Sequence, residues 1–179
     1  PMQATDRALP KAQRHRHLEG WLRLGTMCEI ASDFDLDLPH HDTEAFGRLV
    51  QMHAGEAYTF PNFLAKFGTL RQLYRSPEVI QRITREAIED AAADNVHYME
   101  LRFTPVALTR VQGCPLRDAI EWVSEAAAQA AETYGIDVRL IVSANRHESV
   151  ALAEEAFQHA VDFQDRGVVG VDLAGDEIH

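Results

Sequence analysis

Cysteine is scarce in this sequence, positive charge is in deficit, and long apolar runs are missing. The 2 cysteines, Cys28 and Cys114, lie far apart and form no CxxC pair. That excludes a disulfide framework and the paired-cysteine zinc motifs, and it fits reduced thiols in a cytoplasmic protein. The 17 Lys and Arg against 28 Asp and Glu leave a formal charge of −11. Such a balance argues against nucleic acid or an anionic membrane as the main partner, and leaves a small neutral or cationic ligand open. No apolar run reaches the length of a membrane span. The opening stretch "PMQATDRALPKAQRHRH" is too polar for a signal peptide, so the cytoplasm is the expected compartment. No repeat, low-complexity tract or linker divides the chain, and residues 1–179 read as a single domain. At 46% hydrophobic and 25% charged, its composition is that of a soluble globular protein.

Three stretches carry helical signals. "SPEVIQRITREAIEDAAADN" from Ser76 offers a Ser cap, Pro at the first position, and an apolar stripe of Val79, Ile80, Ile83, Ala87, Ile88 and Ala91. "PLRDAIEWVSEAAAQAAETYG" (115–135) and "ESVALAEEAFQHAVDFQDRG" (148–167) repeat the pattern and stop at Gly135 and Gly167. Each helix precedes a short β-rich run: "VHYMELRF" (96–103), "VRLIVS" (138–143) and "VVGVDLAG" (168–175). A further strand is expected at residues 11–17, "KAQRHRH", followed by a helical excursion that contains "YTFPNFLAKFGTLRQLY". This alternation predicts an α/β fold with a parallel sheet of βαβ units. In "VHYMELRFT" one face carries Tyr98, Glu100, Arg102 and Thr104. Polar residues on a buried parallel strand point to a barrel interior, where Glu100 and Arg102 can either pair with each other or contact a substrate. Asp172 falls among small residues, and Gly175-Asp176-Glu177 follows at the strand's C-terminal end, where sites of α/β folds form.

"HRHLEG" at residues 15–20 raises a metal question. His15 and His17 share one face of a strand and can present two imidazole nitrogens to one divalent ion. Among 9 histidines such a pair also arises by chance. Arg14 and Arg16 occupy the opposite face, which implies an unusually exposed strand.

Four segments in order, "LPKAQRHRHLEG" (9–20), "NFLAKF" (62–67), "VHYMELRFTP" (96–105) and "VGVDLAGDE" (169–177), resemble the adenosine deaminase family of metal-dependent amidohydrolases. The resemblance implies a TIM-type (βα)₈ barrel with one catalytic zinc, of which this chain holds about the first four βα units. It implies His15 and His17 as metal ligands and Glu19 as a residue holding ribose or purine. Gly175 is implied as a backbone donor to the purine ring, and Phe63, Leu64 and Phe67 as an apolar entrance over the nucleoside. The implied reaction is hydrolytic removal of the purine 6-amino group by zinc-bound hydroxide, releasing ammonia. Glu19 stands where many adenosine-specific members carry Asp, and adenine and aminofutalosine deaminase relatives often share "LEG". The purine base is therefore implied, while adenosine, adenine and aminofutalosine all stay open as substrates. Gln13 and Arg14 also replace the family's usual acidic–aliphatic pair.

The family's third histidine ligand and its acid/base glutamate lie in a HAGE motif on the fifth strand, and further site residues come later. This sequence stops soon after its fourth strand, so the catalytic residues are expected beyond residue 179 and none is assigned within it. "HAGE" does occur at His53–Glu56, but ahead of the second strand in a stretch that reads helical, and it is taken as coincidental. Two imidazoles are fewer ligands than a catalytic zinc uses, so the chain alone is expected to show little or no turnover. The rival reading is a non-catalytic half-barrel or pseudo-enzyme that binds a ligand or partner without chemistry. In either case the open sheet edges at the first and fourth strands invite a homo-oligomer.

Overall fold

The computed structural model describes residues 8–175, so Asp176 and Glu177 lie outside the described residues. Four strands, β1 (Lys11–His17), β2 (Val96–Phe103), β3 (Asp137–Asn145) and β4 (Val168–Ala174), form one sheet in the order β1-β2-β3-β4. Every neighbouring pair is parallel. The α/β reading with four parallel strands therefore holds. Seven helices connect them: α1 (Leu24–Asp33), α2 (Thr43–Val50), α3 (Phe60–Leu70) and α4 (Pro77–Ala93) between β1 and β2, then α5 (Pro105–Thr109) and α6 (Leu116–Tyr134), then α7 (Val150–Asp162). None of the described helices is long and apolar enough to cross a membrane.

Local chemistry sets the helix ends. Asp42, Thr59, Ser76 and Ser149 cap α2, α3, α4 and α7 by accepting from backbone N–H groups three residues on, which satisfies donors the first turn leaves free. Gly135 ends α6 in the left-handed region, with φ +66°. The helix expected over 148–167 is shorter than its periodicity implied. It stops at Asp162 because Phe163 turns into the core, and a 3₁₀ turn at Gln164–Arg166 completes the link. The helical reading of "FGRLVQMHAGE" also fails past Val50. Residues 51–59 are turns and irregular backbone, which the β-region C-cap at Gln51 begins.

The sheet is two-sided. Met99, Leu101 and Phe103 of β2, with Leu140, Val142 and Ala144 of β3, are buried beneath the helices. Val79, Ile80, Ile83, Ala87 and Ile88 of α4 and Ile120, Val123 and Ala127 of α6 fill that core from the other side. The opposite face carries Tyr98, Glu100, Arg102, Ile141, Ser143 and Asp172, polar and only partly covered for the most part. That is the inner surface a barrel would enclose. On β4 the helix-facing residues Val171 and Leu173, in register with Val142 and Ala144, stay exposed at 52% and 46%.

Candidate metal centre

The two histidines share one face of β1, which is irregular where they sit. Its pairing steps from Gln13↔Met99 to Arg16↔Leu101, three residues of β1 against two of β2. Such a bulge bends a strand and re-aims its side chains. At the strand's C-terminal end the Nε2 atoms of His15 and His17 lie 3.2 Å apart. Two ligands on a tetrahedral zinc, each about 2.0–2.1 Å from the ion, sit about 3.3 Å from one another. The pair therefore fits two adjacent corners of a zinc site. Burial, and then the neighbouring Arg102 charge, push the His17 pKa down, which favours the neutral imidazole that ligates a metal. Among the described residues no cluster of three or more His, Cys, Asp or Glu could hold an ion.

His15 and His17 open onto a cleft of about 710 Å³, and Glu19, Phe63, Leu64, Phe67 and Gly175 line it with them. The structure thus brings every sequence-predicted site residue to one place. Phe63 and Phe67 meet edge to face with centroids 5.3 Å apart. Phe63 is 46% exposed and Tyr58 75%, so these aromatics are surface and rim groups instead of core. Gly175, at φ +107°, has backbone that side chains rarely adopt, and it lies in van der Waals range of the Arg146 backbone. Glycine thereby lets the end of β4 lie against the loop that follows β3.

Glu19 is buried in the 3₁₀ turn Leu18–Gly20. Its Oε1 accepts from the Thr104 N–H, and the Tyr74 hydroxyl donates to its carbonyl at 3.3 Å. These bonds tie the turn after β1 to the end of β2. Its Oε2 is buried without a hydrogen-bond partner among the described residues. Burial pushes the Glu19 pKa up, against the Thr104 hydrogen bonds and the Arg71 charge that lower it.

Of the two roles open for Glu100 and Arg102, the mutual ion pair does not form. Glu100 accepts from the Tyr98 hydroxyl at 2.9 Å and does not pair with Arg102. Arg102 Nη1 instead reaches past β3 to Asp172 Oδ2 at 2.7 Å. It can do so because β3 presents the small Ser143 between them, whose hydroxyl donates to the same oxygen at 3.4 Å. The cleft also includes His147, which faces Glu148 at 3.3 Å, and Glu148 in turn holds Arg110 at 2.6 Å. Arg16 stacks on Trp21, its guanidinium carbon 3.1 Å from the ring centroid, which explains how the outer face of β1 accommodates an arginine. His53 and Glu56 sit 3.6 Å apart in the irregular segment, beside Lys66, and do not line the cleft. Their HAGE sequence contributes nothing to this site.

A sequence profile of the adenosine deaminase family matches residues 10–179. An adenosine deaminase from Mycolicibacterium vanbaalenii is 35% identical over 178 residues, covering 96% of this chain and 48% of its own length. A zinc-bound amidohydrolase from Burkholderia ambifaria superposes with TM-score 0.82 at 26% identity, over 99% of this chain and 48% of its own. An Arabidopsis ADAL protein complexed with IMP superposes with TM-score 0.80 at 29% identity, over 97% and 52%. The chain spans about half the length of the curated relatives it matches. With these matches running from end to end of the described fold, the chain belongs to the adenosine deaminase family.

Proposed function

We propose that this chain supplies the N-terminal half of a purine deaminase barrel: two imidazole ligands for one zinc ion, and one wall of the purine site. The observation that carries the reading is the 3.2 Å separation of the His15 and His17 Nε2 atoms at the same cleft as Glu19, Phe63 and Gly175. When bound, zinc supplies Lewis-acid chemistry that lowers the pKa of water toward neutrality. His15 and His17 would hold the ion as neutral imidazoles. Phe63, Leu64 and Phe67 cover the purine face and exclude water from it. The Gly175 N–H donates to a ring nitrogen, and Glu19 Oε2, without a partner among the described residues, is the group left to hydrogen-bond the ligand. The net reaction replaces the exocyclic amino group by a water oxygen and releases ammonia. The nucleotide-bound relative supports a purine ligand, with adenosine, adenine and aminofutalosine all open as substrates.

A catalytic zinc takes three protein ligands and keeps one open position, and the described residues offer two. The same count favours, as a second reading, ligand binding without chemistry by this chain alone. Saturation-transfer NMR with inosine, alongside an ammonia-release assay with adenosine and added zinc, tests the proposal. Transfer to the purine protons, weakened in Phe63→Ala and Phe67→Ala, with little turnover, is the expected result. Absence of transfer, or robust turnover by the chain alone, would overturn it.

A further inference from the structure

We propose that the Arg102–Asp172 ion pair sets the charge of the metal site, with Asp172 neutralising a guanidinium that the sheet register places beside His17. The inference rests on the reading of His15 and His17 as ligands, and concerns residues that are themselves no ligands.

β1 pairs with β2 so that His17 stands directly opposite Arg102. Residues opposed across adjacent strands lie about 5 Å apart and project to the same face. A permanent cation is thereby fixed next to the position a divalent cation would occupy. Two like charges at such range repel, and burial strengthens the effect. The Arg102 side chain is only 12% exposed, so water screens its charge poorly. Its Nε is buried without a hydrogen-bond partner among the described residues. Among the described residues the carboxylate that compensates it is Asp172, reached across β3 at 2.7 Å. Glu100, nearer in sequence, is engaged by Tyr98. Asp172 is steadied by Ser143 and sits with Arg102 in the lining of the same cleft.

The two partners should therefore act on metal affinity with opposite signs. Asp172→Asn leaves the guanidinium uncompensated and should weaken zinc and cobalt(II) binding about tenfold, in the range of outer-shell effects. Arg102→Gln leaves the carboxylate uncompensated and should tighten binding by a similar factor. The double variant should return to within about threefold of the parent, and Arg102→Lys, which keeps the charge, should bind like the parent. The measurement is competition of the full chain with a chromophoric chelator for zinc, with cobalt(II) d–d absorption as a second readout and thermal melts to confirm folding. If both single variants lose affinity in step with their melting temperatures, or neither moves, the pair is a structural strut and the inference fails. If the parent binds no ion, or binds it unchanged in His15→Ala, the metal reading itself fails.

Discussion

Glu19 concentrates the physical tension of the site in one side chain. Its carboxyl is fully enclosed, one oxygen satisfied by the Thr104 N–H and the other without a partner among the described residues. Because burial raises its pKa in the folded chain, the folded state holds a proton that the unfolded state releases. Stability from this group is therefore fully present below the ordinary glutamate range and is lost as pH rises through the folded value. Glu19→Gln, which keeps the Thr104 bond and carries no charge, should be more stable than the parent at pH 8. The advantage should vanish near pH 4, as read by denaturant midpoints across that range. An unchanged difference at both pH values would show that Glu19 is already satisfied when charged. The exposed Phe63 makes the opposite kind of test. Phe63→Ala should cost under about 1 kcal/mol in the same melts, whereas truncating the buried Phe46 should cost about 3–5 kcal/mol. At this scale the spacing of His15 and His17, and for Glu19 the family resemblance, indicated residues that the structure places at one cleft. The Arg102–Asp172 pair was not legible in the sequence, since its partners are 70 residues apart and only the sheet register brings them together. The choice of Asp172 over Glu100 depends on a tyrosine hydroxyl that spacing cannot reveal.

Elements were read most securely where a cap and a stripe agreed. Ser76 with Pro77 at the head of α4, and Gly135 after α6, each mark a boundary by a stated backbone requirement. Gly135→Ala forces a Cβ into the left-handed region and should destabilise the chain by about 1 kcal/mol or somewhat more. A thermal melt with no loss would mean that another residue ends the helix. Reading failed where tertiary context overrides periodicity. Phe163 continues the apolar pattern of α7 yet leaves the helix to fill the core, and residues 51–59 follow a helix without joining it. The bulge in β1 was invisible for the same reason. A period-2 pattern predicts two histidines on one face, but the extra residue of β1 beside them shows only in the β1–β2 pairing.

At the scale of the whole molecule, the described residues form a four-stranded sheet whose outer strands pair on one side only, with an apolar helix-facing surface at β4. Its composition and βαβ rhythm were enough to indicate the parallel sheet. The chain spans about half the length of the relatives it matches, and the inner polar face of its described sheet lies open. Open edges and an uncovered Val171–Leu173 stripe predict concentration-dependent association of the chain in light scattering. Replacing Val171 and Leu173 together by Lys should lower it, and association unchanged by that pair would locate the contact elsewhere. The central claim, that the first strand carries half of a metal centre, is tested most directly by calorimetric titration of zinc into the full 179-residue chain. The account predicts one ion per chain, held well short of the 10–16 kcal/mol typical of structural zinc sites, with binding abolished when His15 and His17 are both replaced by Ala. Failure of the parent chain to bind zinc, or equal binding by the double variant, would contradict it.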